Sequence, residues 1–390
     1  MKLGEVIEQV RGVSYKPADI VLQKMPGYIC LLRANNINNG EVNFDDVVYV
    51  KEERVKANQL LRKGDILICA SSGSKSLVGK AAVVKNDLLV TFGAFCKVVR
   101  PQSRYAAFLG HFFQSSRYRW IISNASAGAN INNIRTEDIS NIEIQLPNQS
   151  VQQIATNRLN LVNDLIQKHK KQIELLDELV KSRFIEMFGD PVFNNMHWDV
   201  FVLEDLVQDD CTISYGIVQT GEDLIDGVPV LRPIDIVGGI VPQLDRLKHT
   251  SKVISDQYKR TLLKGRELLI TVRANIGDTC IVGNEFKGCN VGRGIVPIRV
   301  DETKIKLEFL QAQLNELHMH DFIKSKAKGI TLIQLNMVDL RKIELIVPPI
   351  HIQLQYIDFE KVIKKSKIAI QKSLDKLETL KKSLMQQYFS

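Results

Sequence analysis

None of the six cysteines, Cys30, Cys69, Cys96, Cys211, Cys280 and Cys289, forms a C-x-x-C pair with another. That absence removes zinc-ribbon and thioredoxin-like chemistry and leaves buried thiols as the reading. No apolar run approaches the roughly 18 residues that a membrane-spanning helix needs. The opening MKLGEVIEQVRG is charged from its second residue and has no apolar core of signal-peptide length. A cytoplasmic protein that keeps off membranes is therefore expected. Pro-Asp occurs nowhere, so the short E-x-K words at Glu285 to Lys287 and Glu302 to Lys304 lack the upstream acid that many metal-dependent nucleases place before them.

A phosphate-binding loop is missing too, although one stretch comes close. GSKSLVGKA starts at Gly73, whereas the motif requires G-x-x-x-x-G-K-[ST] with backbone N–H groups around the phosphates and a hydroxyl on magnesium. Here five residues separate Gly73 from Gly79, and Ala81 follows Lys80. The next word, AAVV, favours a strand over the helix whose N-terminus should face the phosphates. Nucleotide hydrolysis is left without its loop, and the stretch needs another explanation.

What is present is an ordinary globular composition, 45% apolar and 25% charged over 390 residues, enough chain for two or three domains. The net charge of +8 is compatible with nucleic acid without demanding it. The decisive feature is that the chain is written twice. At an offset of about 201 residues, GANINNIRTEDISNIEIQLP from Gly128 lies over GITLIQLNMVDLRKIELIVP from Gly329, and the register holds to Phe188 over Phe389. Upstream, VSYKP from Val13 faces ISYGI from Ile213, LLRANNI faces VLRPIDI, LLRKGDILI faces LLKGRELLI, and SLVGKAAVV faces ANIGDTCIV. Gly79 thus recurs as Gly277, while Lys80 becomes Asp278, an exchange that a phosphate loop would not survive.

Each copy opens with about 150 residues of strand-like words broken by Gly and Asn, with helical patches: a mixed α/β domain. After Pro147, and again after Pro348-Pro349, comes a long helical pattern. In the first copy Ala155, Leu159, Val162, Ile166, His169, Ile173, Leu176, Val180 and Met187 follow 4-3 spacing, interrupted only at Arg183. His169 in that seam reads as a register device or a partly solvated core position. The second copy places Tyr356, Ile363, Ile370, Leu377 and Leu384 at one heptad position but Glu360, Lys367 and Lys381 at the other, where long stems can snorkel. Leu161, Leu165, Leu175 and Leu179 widen the first helix's apolar stripe and predict a further helical partner.

These observations give an α/β (mixed α+β) fold with a pseudo-twofold internal repeat. Recognition domains are expected at residues 1–147 and 191–347, and helical spacers at 148–190 and 348–390. Paired antiparallel, the spacers would set two equivalent heads apart. A helix of this length extends roughly 60 Å, or about 17 base pairs of duplex DNA. Twofold-related heads suit the geometry of paired DNA half-sites.

The sequence resembles the specificity subunits of type I restriction-modification systems. The resemblance covers nearly the whole chain and is carried by the spacers LPNQSVQQIA…IELLDELVKSRFIEMF and VPPIHIQLQYI…SLDKLETLKKSLMQQYF. Head words such as SGSKSLVGKAAVV…FGAFCKVVRP and LLITVRANIGDTCIV…CNVGRGIVPIR add to it. One departure is Pro147-Asn148 where the family favours Pro-Pro. The resemblance implies a non-catalytic protein that reads double-stranded DNA, one half-site per head. Two modification subunits would methylate adenine at N6, and restriction subunits would translocate and cleave. S-adenosylmethionine, ATP and magnesium would be bound by those partners. In accord, the chain has no [DNS]-P-P-[FYW] adenine-methyltransferase word and no glycine-rich methyl-donor loop.

Major-groove reading favours Arg, Lys, Asn, Gln, Ser and Thr on loops, and phosphates are met by Lys, Arg and backbone N–H groups. The DNA-binding candidates are accordingly Ser71, Ser72, Gly73, Ser74 and Lys75, their counterparts Arg273 and Asn275, and Tyr15, Lys16, Arg33, Tyr215, Arg232 and Arg293. Arg33 and Arg232 also have a structural reading, since both lie in strand-like words. The competing function is a coiled-coil adaptor that binds protein alone.

Overall fold

The computed structural model of the protein describes residues 1–74, 76–125, 133–236, 238–240, 243–329 and 333–389. Compactness divides the chain into two units, Met1–Lys170 with Gln371–Ser390, and Lys171–Ile370. Each unit takes one head and half of each spacer helix.

The spine of both heads is a strand with an apolar centre, unbroken in the first head and flanked by Glu267 and Thr271 in the second. Ile66–Cys69 (ILIC) and Glu267–Thr271 (ELLIT) are buried at every position, as expected of a short strand with an apolar centre bounded by turns. In the first unit Ile66–Cys69 lies antiparallel between Cys96–Pro101 and Ala81–Val83. In the second, Glu267–Thr271 lies antiparallel between Ile295–Ile298 and Thr279–Val282. The first unit extends its sheet to six strands with Ile7–Arg11 at one edge. The second keeps three strands there and pairs Val200–Val202 with Glu344–Ile346 separately.

A smaller sheet accompanies each spine. Tyr28–Leu32 pairs parallel with Val90–Phe92, as Val228–Leu231 does with Asn290–Val291. A buried ion pair also recurs. Asp65, which is 1% exposed, accepts two hydrogen bonds of 2.8 Å from Arg100 and caps its own turn by accepting from the Arg62 amide. Glu267 does the same for the Lys264 amide and lies 3.8 Å from Arg299.

The spacer helices run Gln149–Phe188 and Ile350–Phe389, 40 residues each, starting just past the prolines. Gln152 and Gln353 each donate back to the proline carbonyl five residues earlier, both at 2.7 Å. Gly189, with φ +71, closes the first helix in the left-handed conformation that favours glycine at a helix C-terminus. The two helices are antiparallel. Within the first unit Arg158 donates to Tyr388 Oη and Lys170 faces Glu378, and within the second Asp177 meets Lys367 and Arg183 lies over the Phe359 ring.

Ala155, Leu159, Val162 and Ile166 are buried, whereas Ile173, Leu176 and Val180 are half-buried and deep packing resumes at Phe184 and Phe188. Those two rings enter the core of the second head together with Phe309 and Tyr356. Met385 and Phe389 do the same in the first head, with Phe389 4.8 Å from Phe108. Burying one such ring contributes about 1.5–3 kcal/mol. His169 is half-buried, its Nε2 3.0 Å from Ser373 Oγ and its Nδ1 without a protein partner. Of the charged seam residues, Lys367 is paired with Asp177 and Glu360 with Lys364, while burial and the neighbouring Lys170 push the Lys381 ammonium down.

All six cysteines are free, and only Cys30 is not fully buried. Burial pushes the Cys96 and Cys280 thiols up to about 12. Among the described residues no helix is long and apolar enough to cross a membrane, and no three metal-ligating side chains are gathered into a cluster.

Candidate nucleic-acid interface

In each head four irregular segments converge at the same end of the spine strands. In the second unit the Ile217 amide donates to Val291 O, Gly292 N donates to Leu231 O, and Val272 N to Gly294 O, all at 2.8 Å. The turn at residues 292–294 is thereby tied to the segment before Ile217, to the strand ending at Leu231, and to the loop that begins at Arg273. Contact is tight: a Cβ on Gly294 would lie 2.3 Å from Pro233 Cγ and 3.2 Å from Arg273 Cβ.

Tyr215, Arg232, Arg273 and Arg293 gather around this turn. Arg293 is exposed, its guanidinium 6.0 Å from the centroid of the exposed Tyr215 ring. Arg273 is half-buried and donates from Nη2 to Gln334 Oε1. Asn275 is exposed, and its carbonyl is held by Thr271 Oγ1 and the Asp278 amide. Between them Ala274 adopts φ +60, a left-handed conformation uncommon for a residue with a side chain and found where neighbouring structure over-determines the backbone. Arg232 is committed elsewhere. Two 3.0 Å hydrogen bonds join it to Asp235, which also accepts from the Arg232 amide, so its charge is neutralised within the turn Pro233–Asp235.

The first unit repeats the plan. Val13 N donates to Phe92 O at 2.7 Å, Gly93 N to Leu32 O at 2.9 Å, and the Ala70 and Ser71 amides both donate to Phe95 O. Tyr15 packs against Gly93, where a Cβ would meet its ring at 3.3 Å. Arg33 donates to both the carbonyl and carboxylate of Asp46, and its amide is capped by Asn36. Ser72 Oγ accepts from the Ser74 amide and Ser74 Oγ lies 2.9 Å from Ser76 Oγ, so the serines tie the loop to itself. Gly73 is exposed with open space around it. Lys75 lies outside the described residues. Lys16 is exposed at the flank, its amide donating to the buried carboxylate of Asp19.

Two features depart from the sequence alignment of the copies. Val13 and Ile217 occupy the same place, each bonded to the residue before the turn glycine, yet Val13 lies seven positions beyond Val6 and Ile217 eleven beyond Leu206. Val6 and Leu206 are themselves equivalent, since their carbonyls accept from Gln102 and Asp301. Four extra residues in the second copy therefore pair Tyr15 with Gln219 rather than Tyr215. An insertion in an irregular segment leaves no periodicity to betray it.

The second departure is in the Ser71 loop. Ser71 bridges Asn133 as Arg273 bridges Gln334, but Gly79 follows eight residues later and Gly277 only four. Both glycines have positive φ, +79 and +90, and both donate to the carbonyl of the last spine residue, Cys69 or Thr271. GSKSLVGKA is thus a longer version of the turn at Arg273 to Asp278.

Residues that sequence reasoning passed over complete the site. Phe95, 67% exposed, projects from the turn beside Ser71; its only signal is an aromatic in a glycine turn. Arg119 and Gln334 hold the loops from behind. Elsewhere in the first unit a cleft of about 1570 Å³ opens between the head and the spacer halves, edged by Lys63, Lys85, Lys170, Lys381 and Lys382. On the spacers Leu161, Leu175, Leu179, Val362 and Ile368 are exposed.

Two heads in which the same four segments converge, bringing Ser71 to Ser74 together in one and Tyr215, Arg273, Asn275 and Arg293 in the other, define a two-headed recognition protein. The chain matches the type I restriction modification DNA specificity domain twice, over residues 1–176 and 197–382, and belongs to that family. It is a DNA-specificity protein, not a catalytic subunit. It is 28% identical over 379 residues to the type I restriction enzyme StySPI specificity subunit of Salmonella potsdam, spanning 91% of this chain and 79% of that one. Over 180 residues it is 39% identical to the EcoKI specificity subunit of Escherichia coli K12, spanning 46% and 39% of the two chains. The solved S subunit of the type I restriction-modification system from M. genitalium shares the fold, with TM-score 0.59 and 14% identity over 100% of this chain and 95% of that one. A chain from a structural study of type I complex assembly and conformational transition superposes with TM-score 0.58 at 17% identity, covering 100% and 99%.

Proposed function

We propose that the protein reads a two-part duplex target in the cytoplasm, one half-site per head, and scaffolds two modification subunits and the restriction subunits that methylate adenine N6 and cleave. The observation that carries this reading is the recurrence, in both heads, of four converging segments at one end of the spine. Each cluster presents side chains suited to base edges and phosphates. Arg293 and Asn275 in the second head, and the Ser72 and Gly73 backbone amides in the first, have donors free to turn outward. Arg33 and Arg232, held by Asp46 and Asp235, position their turns instead.

The exposed leucine stripe on the spacers and the lysine-edged cleft support docking of the modification subunits. S-adenosylmethionine, ATP and magnesium belong to those partners. The test is selection of binding sequences from random duplexes by the complex with modification subunits, repeated across salt. Enrichment of two separated words, with affinity falling steeply as salt rises, is the expected result. Salt-insensitive binding to protein with no DNA preference would instead support the adaptor reading.

A further inference from the structure

Behind each recognition loop stands one polar side chain from a short helix, at repeat-equivalent positions. In the first head Arg119, on Ser116–Ala125, donates from Nη1 to Val78 O at 2.6 Å and from Nη2 to Ser76 O at 2.9 Å. The same helix presses Ile122 onto Gly79, where a Cβ would meet Ile122 Cγ2 at 2.8 Å and Arg119 Nη1 at 3.0 Å. In the second head His320, on Leu317–Ser325, takes the place of Arg119, and Ile323 that of Ile122. A Cβ on Gly277 would meet the His320 ring at 3.0 Å and Ile323 Cγ2 at 3.6 Å. His320 Nε2 lies 3.6 Å from Asp278 Oδ1.

The loop partners change together with the buttress. Where the loop is long and ends in Lys80, the support is an arginine that grips two carbonyls. Where it is four residues shorter and ends in Asp278, the support is a histidine beside that carboxylate. Neither Arg119 nor His320 is among the outward-facing candidates, and both terminal nitrogens of Arg119 are turned to the loop backbone.

We infer that Arg119 and His320 are positioning residues that set the pose of the Ser71 and Arg273 loops and so help to fix base choice in each half-site. This rests on the proposed reading of DNA by the heads. The test uses the full chain assembled with its modification subunits, comparing wild type with Arg119→Gln, Arg119→Lys and His320→Gln. Preference at every position of both half-sites is measured by sequence selection, alongside affinity for random duplex and thermal melting.

Arg119→Gln is expected to shift or relax preference at least tenfold in one half-site only, and His320→Gln in the other, with random-duplex affinity within twofold of wild type. Arg119→Lys, which keeps the charge but cannot span both carbonyls, is expected to shift preference in the same half-site and serves if the glutamine variant does not fold. Uniform loss of binding that tracks melting, with both preferences intact, overturns the inference. So does unchanged preference in folded variants. A wild-type complex with no sequence preference overturns the underlying function instead.

Discussion

Replacing Gly79 with alanine separates an architectural glycine from a phosphate-loop glycine, because Gly73 in the same loop supplies the control. At φ +79 an alanine is held in the left-handed region, which costs about 1–2 kcal/mol. Its Cβ would also sit 2.8 Å from Cγ2 of Ile122, a side chain that is 2% exposed and locked in the first head's core. Overpacking of that kind costs about 1–3 kcal/mol. Lower entropy of the unfolded chain returns roughly 0.4–1 kcal/mol, leaving a net loss of about 3 kcal/mol. Gly73→Ala meets no atom within 4 Å and needs no positive φ, so only the favourable entropic term of under about 1 kcal/mol remains.

Because two units need not unfold together, the assay is native-state hydrogen exchange of the Ile66–Cys69 amides, which reports the first unit alone. Equal effects of the two substitutions, or a neutral Gly79→Ala, would refute the reasoning. A phosphate loop would instead make both glycines and Lys80 necessary for nucleotide binding.

Asp65→Ala should destabilise the first unit by about 3 kcal/mol, because half-buried Arg100 loses its carboxylate partner and keeps only the Asn58 and Leu60 carbonyls, and Glu267→Ala the second unit by less, because Arg299 keeps Asp210; denaturant unfolding of each unit checks the order. The Asp190–His318 contact should make stability depend on pH. The hydrogen bond that the His318 imidazole donates to Asp190 raises it. Burial pushes the Asp190 carboxyl up, but hydrogen bonds from His318 and from the Phe193 and Val192 amides outweigh it and hold it low. The histidine's contribution is complete below its ordinary value of about 6.5 and lost as pH rises through its raised value, while the aspartate's is present above about 3.9 and lost as pH falls through its depressed one. His318→Asn should therefore lower the melting temperature most between roughly pH 4 and 6.5 and little at pH 9; a pH-independent loss would contradict this. Leu161→Ser with Leu175→Ser should leave the isolated chain's stability within about 0.5 kcal/mol yet weaken assembly with modification subunits by roughly tenfold or more, measured by titration calorimetry.

The long-range plan of the molecule was readable because it is periodic. Proline followed by 4-3 spacing marked both spacer helices, and the doubled register tied Phe188 to Phe389, which fill equivalent cores in the two heads. Where local regularity ends, so did legibility. Tyr15 and Tyr215 looked alike in a five-residue word, but backbone pairing to Gly93 and Gly292 shows that they are not counterparts. The Asp65–Arg100 pair joins residues 35 positions apart and has no sequence signature. Arg33 and Arg232 carry both a DNA-contact and a structural reading, and the structure gives each a carboxylate partner: Asp46, thirteen residues on, for Arg33, and Asp235 of the adjoining turn for Arg232. Arg119 went unnoticed because its function is carried by backbone carbonyls, which a sequence does not display.

The most direct test of the two-headed reading is methylation mapping of host DNA carrying the system, with the native chain and with residues 1–147 replaced by the head of a relative. Two separated words containing methylated adenine are expected with the native chain. In the chimera one word should change while the other word stays the same. A change in both words, or in neither, would contradict reading by independent heads.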